Sequence, residues 1–98
     1  MKFMCHWQVH PDKRSDVLSG FAAMDLSVYQ TLQGPTVKLL GRWHDMANLT
    51  GVAICETDDL QALELWLMMW HDACDFEVLP CMDDAEAHAA AKKFVAVS

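Results

Sequence analysis

The chain has 98 residues, with 14 acidic against 7 basic side chains for a net charge of −7, and 53% of its residues are hydrophobic. So much apolar content excludes a disordered chain, and the length sets a single domain over residues 1–98 with a core of its own. The acidic balance argues against nucleic acid as a partner, because phosphate binding needs clustered Lys and Arg, and the longest apolar run, Leu65–Trp70, falls far short of the ~20 residues of a membrane span.

Lys2–Val9 alternates, with Phe3, Cys5, Trp7 and Val9 on one side and Met4, His6 and Gln8 on the other, the pattern of a half-buried strand. Pro11 and Asp12 then open a helix, since proline needs no N–H partner in a first turn and a carboxylate complements the positive end of the helix dipole. Val17, Leu18, Phe21 and Met24 recur at helical spacing, which predicts a helix over about 12–24. Residues 25–36 show no period and end in the turn signal Gln33-Gly34-Pro35.

Val37–His44 alternates again and predicts a second strand, with Val37, Leu39, Gly41 and Trp43 opposite Lys38, Leu40, Arg42 and His44. A short polar connection leads to a third strand over Gly51–Thr57, so the two form a hairpin. Asp58 with Gln61 reads as a capping box for a second helix, whose stripe is Leu60, Leu63, Leu67 and Trp70. Its apolar arc widens through Ala62, Leu65, Trp66 and Met69, so its second flank needs a cover. Phe76–Met82 is a fourth strand, and Pro80 favours an edge position for it. Asp83 and Glu86 form another capping box, and the alanines that follow carry a C-terminal helix to about Phe94, the expected cover.

The order strand, helix, strand, strand, helix, strand is the split βαβ plan. The fold class expected is therefore α+β: a ferredoxin-like βαββαβ sandwich with an extra C-terminal helix. Right-handed crossovers put both main helices on one side of a four-stranded sheet.

The strand parity sends Phe3, Cys5, Trp7, Leu39, Trp43, Ala53 and Cys55 towards the helices, with Trp7 and Trp43 as packing anchors. It sends Met4, Leu40, Val52, Ile54 and Leu79 to the open face, too many large apolar groups to leave wet. A second copy of the chain, docked through that face, is the simplest cover. His6, Arg42, His44 and Glu56 fall on the same face by the same parity. Histidine and glutamate exchange protons near neutral pH, and arginine binds carboxylates. These four are the candidate ligand-binding residues; no catalytic role is assigned to any of them. Two other arrangements compete: a salt-bridge network joining Arg42 to Glu56 or Glu77, and a two-histidine, one-carboxylate metal set of His6, His44 and Glu56.

The four cysteines, Cys5, Cys55, Cys74 and Cys81, contain no Cys-x-x-Cys pair, and His71-x-x-Cys74 has no matching partner, so no metal site is expected. The start of the chain lacks the long apolar stretch of a secretory leader, which predicts a cytoplasmic protein with reduced thiols. Phosphate-binding loop, dinucleotide fingerprint and nucleophile-elbow patterns are absent from the sequence, and no cofactor is expected.

The opening Met1-Lys2-Phe3-Met4 with Trp7, the run Val37-Lys38-Leu39-Leu40-Gly41-Arg42-Trp43-His44, Glu56-Thr57-Asp58-Asp59 and Asp75-Phe76-Glu77-Val78 resemble a family of small uncharacterised bacterial domains of unknown function. That family is similar to the dimeric α/β-barrel superfamily. The resemblance covers most of the chain outside Asp25–Gln33, where this sequence is longer. It implies a ferredoxin-like protomer whose open sheet faces pair around a cavity, and it implies no particular reaction. The expected function is the binding of a small, partly apolar organic anion in a cavity on the open sheet face of a homodimer. The alternatives are a cofactor-independent monooxygenase or isomerase, with His6 or His44 as base and Arg42 as oxyanion partner, and a non-catalytic structural or regulatory homodimer.

Overall fold

A computed structural model describes residues 1–97. In chain order its elements are β1 (Lys2–Val9), a 3-10 turn (Pro11–Lys13), α1 (Arg14–Ala23), α2 (Leu26–Tyr29), β2 (Lys38–Asp45), β3 (Thr50–Glu56), α3 (Leu60–Met68), β4 (Cys74–Cys81) and α4 (Asp84–Val97). The four strands form one antiparallel sheet in the order β2-β3-β1-β4, the ferredoxin-like arrangement. Pro80 accordingly sits on an edge strand, where its missing N–H leaves no ladder bond unmade.

The core lies between one sheet face and the helices. Cys5, Ala53 and Cys55 from the two central strands are buried with Val37 against Leu63, Trp66 and Leu67 of α3. A second buried group, Val9, Leu49 and Cys74, is joined to the first through Trp7, Trp70 and Phe76. Leu49 takes a left-handed backbone, φ 51°, which costs a non-glycine residue about 1–2 kcal/mol. It is held there by its buried side chain, by the Val9 N–H donating to its carbonyl at 3.0 Å, and by the Asp45 carboxylate capping Asn48 just before it. Gly51 permits a close approach: a Cβ there would run into the Trp7 ring, which lies across it.

The helices depart from the sequence reading in three places. Residues 25–36, aperiodic in sequence, contain the short helix α2, whose N-cap Asp25 accepts from the Ser27 N–H at 2.8 Å. Helix α3 is capped by Asp59 rather than Asp58: the Asp59 carboxylate accepts from the Ala62 N–H at 3.0 Å, and no reciprocal bond from Gln61 closes a box. Thr57 fixes this entry, its buried hydroxyl donating to the Thr36 carbonyl at 2.8 Å and accepting from the Asp59 N–H at 2.9 Å.

The third departure is α4. Its capping box forms as expected, with Asp83 accepting from the Glu86 N–H at 2.9 Å and Glu86 accepting from the Asp83 N–H at 3.2 Å. However, α4 buries none of its residues, and the expectation that it covers α3 is corrected: Leu60, Leu65 and Met68 of α3, and Met69 just after it, stay exposed. The helix leaves the body of the domain instead. The radius of gyration is 16.0 Å, against about 13 Å for a compact chain of this length, and the longest extent is 53 Å. Lys2 anchors its start, 2.8 Å from Glu86, 3.4 Å from Asp83 and 3.5 Å from Glu56.

Candidate functional site

The decisive local feature is in β2. Leu39 pairs with Cys55, but Gly41 already pairs with Ile54, so β2 carries one residue more than its partner at Leu40. An extra residue in one strand reverses the facing of every side chain beyond it. Arg42 then stands in the row of Ala53 and Cys5, and His44 in the row of Gly51 and Trp7, both on the helix face. The expected placement of Arg42 and His44 on the open face is therefore corrected.

Trp43 is displaced the other way. The strand alternation made it a core anchor, yet it is 62% exposed on the open face. Its ring folds back over Gly41, where a Cβ would collide with it. The four candidate residues thus separate into two pairs. Arg42 and His44 face the helices, while His6 and Glu56 lie on the open face in the rows of Val52 and Lys2. His6 lies in a shallow depression beside Trp43, and Glu56 pairs with Lys2. The competing salt bridges from Arg42 to Glu56 or Glu77 do not form, because both glutamates are on the opposite face. The set of His6, His44 and Glu56 is not assembled within one chain for the same reason.

The register shift turns the side chains of Arg42 and His44 towards a cleft between α1 and the sheet, with a volume of about 280 Å³. α3 buries Leu63, Trp66 and Leu67, whereas α1 buries no residue, so the space under α1 is less completely filled. Val17 and Phe21 of α1 form its roof, and Trp7, Trp70 and Phe76 supply aromatic wall. At one end His44 lies parallel to Phe21, with ring centres 5.4 Å apart and planes 20° apart, and meets Trp7 edge-on at 5.2 Å. The guanidinium carbon of Arg42 lies 3.9 Å from the centre of the Tyr29 ring, a cation over a π face. Tyr29 in turn packs edge-on against Phe21 at 5.1 Å.

The electrostatics of this end are one-sided. Partial burial, and secondarily the Arg42 charge, hold the His44 pKa below the ordinary histidine value. Burial raises the Tyr29 hydroxyl, which outweighs the lowering effect of Arg42. At neutral pH His44 is a neutral ring, Tyr29 keeps its proton, and Arg42 carries the charge. Among the described residues Arg42 has no carboxylate within ion-pair distance.

Over this same span the chain matches a family model described as a domain of unknown function, DUF3303, along residues 1–95. The chain belongs to the DUF3303 family. No curated protein matches it. In this DUF3303 domain no helix among the described residues is long and apolar enough to cross a membrane.

Two elements of the cleft escaped the sequence reading. Tyr29 lies in the aperiodic segment, and its partner Arg42 was assigned to the other face, so no pattern linked them. Trp66, on the flank of the arc outside the Leu60, Leu63, Leu67 and Trp70 stripe, is 4% exposed and meets Trp70 edge-on at 6.3 Å, and its indole N–H has no hydrogen-bond acceptor among the described residues. Cys5 and Cys55 are fully buried, and Cys55 and burial together push the Cys5 thiol up, the opposite of a reactive thiolate.

Proposed function

We propose that this DUF3303 domain binds a small organic carboxylate with an apolar, planar body in the cleft under α1, with Arg42 as the charge partner. The observation that carries this reading is an arginine without a carboxylate partner among the described residues, held over Tyr29 at the end of an aromatic-walled space. A guanidinium fork is suited to a carboxylate, and the Tyr29 face positions it without consuming its N–H donors. The cleft on the helix side takes the role first expected of a cavity on the open face. The test is a thermal-shift screen of small aromatic and aliphatic carboxylates, followed by calorimetry on the wild type and Arg42→Ala. A charge-assisted hydrogen bond is worth about 1.5–3 kcal/mol, so Arg42→Ala is expected to cost about tenfold or more in affinity. Equal binding by both proteins refutes the reading.

A second reading, proton transfer on such a ligand, is favoured by the neutral His44 ring beside Arg42. A neutral imidazole accepts a proton, and a guanidinium stabilises an enolate oxygen. Solvent deuterium exchange into a bound ligand, lost in His44→Gln, is its signature.

The open sheet face supports a homodimer. Leu40, Trp43 and Leu79 are exposed there or at its edge, beside half-buried Val52 and Ile54. The ferredoxin-like strand order supports the likeness to dimeric α/β-barrel proteins. The four unpaired thiols support a reducing, cytoplasmic setting. Native mass spectrometry of the purified protein reads stoichiometry and any retained small molecule together.

A further inference from the structure

We propose that the ligand of the cleft is a zwitterion, an amino acid with an apolar or aromatic side chain or a molecule of that class, whose carboxylate meets Arg42 and whose ammonium meets Asp16. This rests on the reading of the cleft as a carboxylate site and names the class of molecule it takes.

Asp16, in the first turn of α1, and Arg42, on β2, line the same space of about 280 Å³. They do not pair with each other, and among the described residues neither has another ion-pair partner. Two opposite charges, an exposed carboxylate and a half-buried guanidinium, thus line one cleft without neutralising each other. The other titratable neighbours do not alter that pattern: partial desolvation and the Arg42 charge hold the His44 pKa below its ordinary value, and burial holds that of Tyr29 above its own. One positive and one negative group on an aromatic-walled space match a ligand that is apolar in its body and carries both charges. Trp7 and Phe21 add ring faces of the kind that attract an ammonium group.

The charge of the whole chain points the same way. At −7 the protein's field repels a net anion as it approaches, and a single arginine must overcome both that field and the Asp16 carboxylate of the same cleft. A zwitterion carries no net charge, and its ammonium turns Asp16 from an opposing group into a partner. The volume of about 280 Å³ lies just below the ~300–1,000 Å³ range of ligand clefts, which suits one small molecule rather than a nucleotide.

The test is calorimetry with two probe series, phenylalanine, 3-phenylpropionate and phenethylamine, and tryptophan, indole-3-propionate and tryptamine. Each is titrated into the wild type, Asp16→Asn and Arg42→Ala, with thermal melts to confirm that the variants fold. The expected result is that, in at least one series, the amino acid binds the wild type about tenfold more tightly than either singly charged analogue. Asp16→Asn is expected to reduce the amino acid to the level of its deaminated acid while leaving that acid unweakened. If the deaminated acid binds the wild type as tightly as the amino acid, or if Asp16→Asn weakens both alike, the zwitterion inference is overturned. In that case the carboxylate reading stands as long as binding depends on Arg42. If the wild type binds no member of either series, both fall.

Discussion

Arg42 and Tyr29 join an edge strand to the short helix α2 through a cation held 3.9 Å above a ring centre. The ring orients the guanidinium and leaves its charge unneutralised, so the two residues make separable contributions. Tyr29→Leu is expected to weaken carboxylate binding about 2- to 5-fold, the equivalent of a ~0.5–1 kcal/mol cation–π contact. Arg42→Ala costs more, because it removes the charge itself. Calorimetry on the two single variants and the double variant checks this ordering; a Tyr29→Leu loss as large as that of Arg42→Ala contradicts it.

His44 and His10 titrate in opposite senses. The His44 pKa is lowered from 6.5, so below that value the unfolded chain takes up protons that the folded chain does not, and His44 makes the fold less stable as pH falls through and below about 6.5. The His10 pKa is raised by its hydrogen bond to Asp75, at 3.0 Å, so its contribution is present below 6.5 and is lost as pH rises through the raised value. Melting temperatures from about pH 5 to about pH 8 separate the two. His44→Gln is expected to flatten the loss on acidification, and His10→Asn to steepen it. An unchanged acid limb in His44→Gln refutes the assignment.

The choice of cap between two adjacent aspartates is also measurable. Asp59→Ala is expected to destabilise the fold by about 0.5–2 kcal/mol, since it removes the side chain that accepts from the first turn of α3. Asp58 is fully exposed and caps nothing, and its replacement by alanine is expected to stay within about 0.5 kcal/mol. Urea unfolding of the two variants decides it.

Trp7 and Trp43 share a parity in the sequence but not in the structure, and they are expected to respond differently to mutation. Trp7→Ala removes a ring packed against both buried clusters and is expected to cost about 3 kcal/mol or more. Trp43→Lys is expected to leave the stability of the protomer within about 0.5 kcal/mol, because the ring lies outside the core. If the open face is a dimer interface, Trp43→Lys and Ile54→Lys both shift sedimentation towards monomer. A wild type that sediments as a monomer at high micromolar concentration refutes the interface.

Much of the fold was legible because its signals are periodic. Strict alternation marked β1 and β3 within a residue or two, and Pro80 marked β4 as an edge. The site was half legible. Arg42 and His44 were singled out for their chemistry, but their direction depends on counting residues across Leu40, and a bulge leaves no composition signal in an alternating run. The segment holding Tyr29 was illegible because a four-residue helix is too short to show a 3.6-residue period. The path of α4 was misread for another reason. Alanine-rich sequence states that a helix forms, and capping states where it starts, but neither says what it packs against.

The extra residue at Leu40 makes the site editable by a single codon. Inserting or deleting one residue in an edge strand leaves Gly41-Arg42-Trp43-His44 intact as letters while exchanging inside for outside. A relative that lacks the extra residue would carry the same four letters with the tryptophan in the core and the arginine and histidine on the opposite surface. The motif alone therefore does not transfer a binding role from one member to another. The number of residues between the buried valine at 37 and the arginine does, and a gap placed one position wrong in an alignment would assign the pocket of one lineage to the bare surface of another.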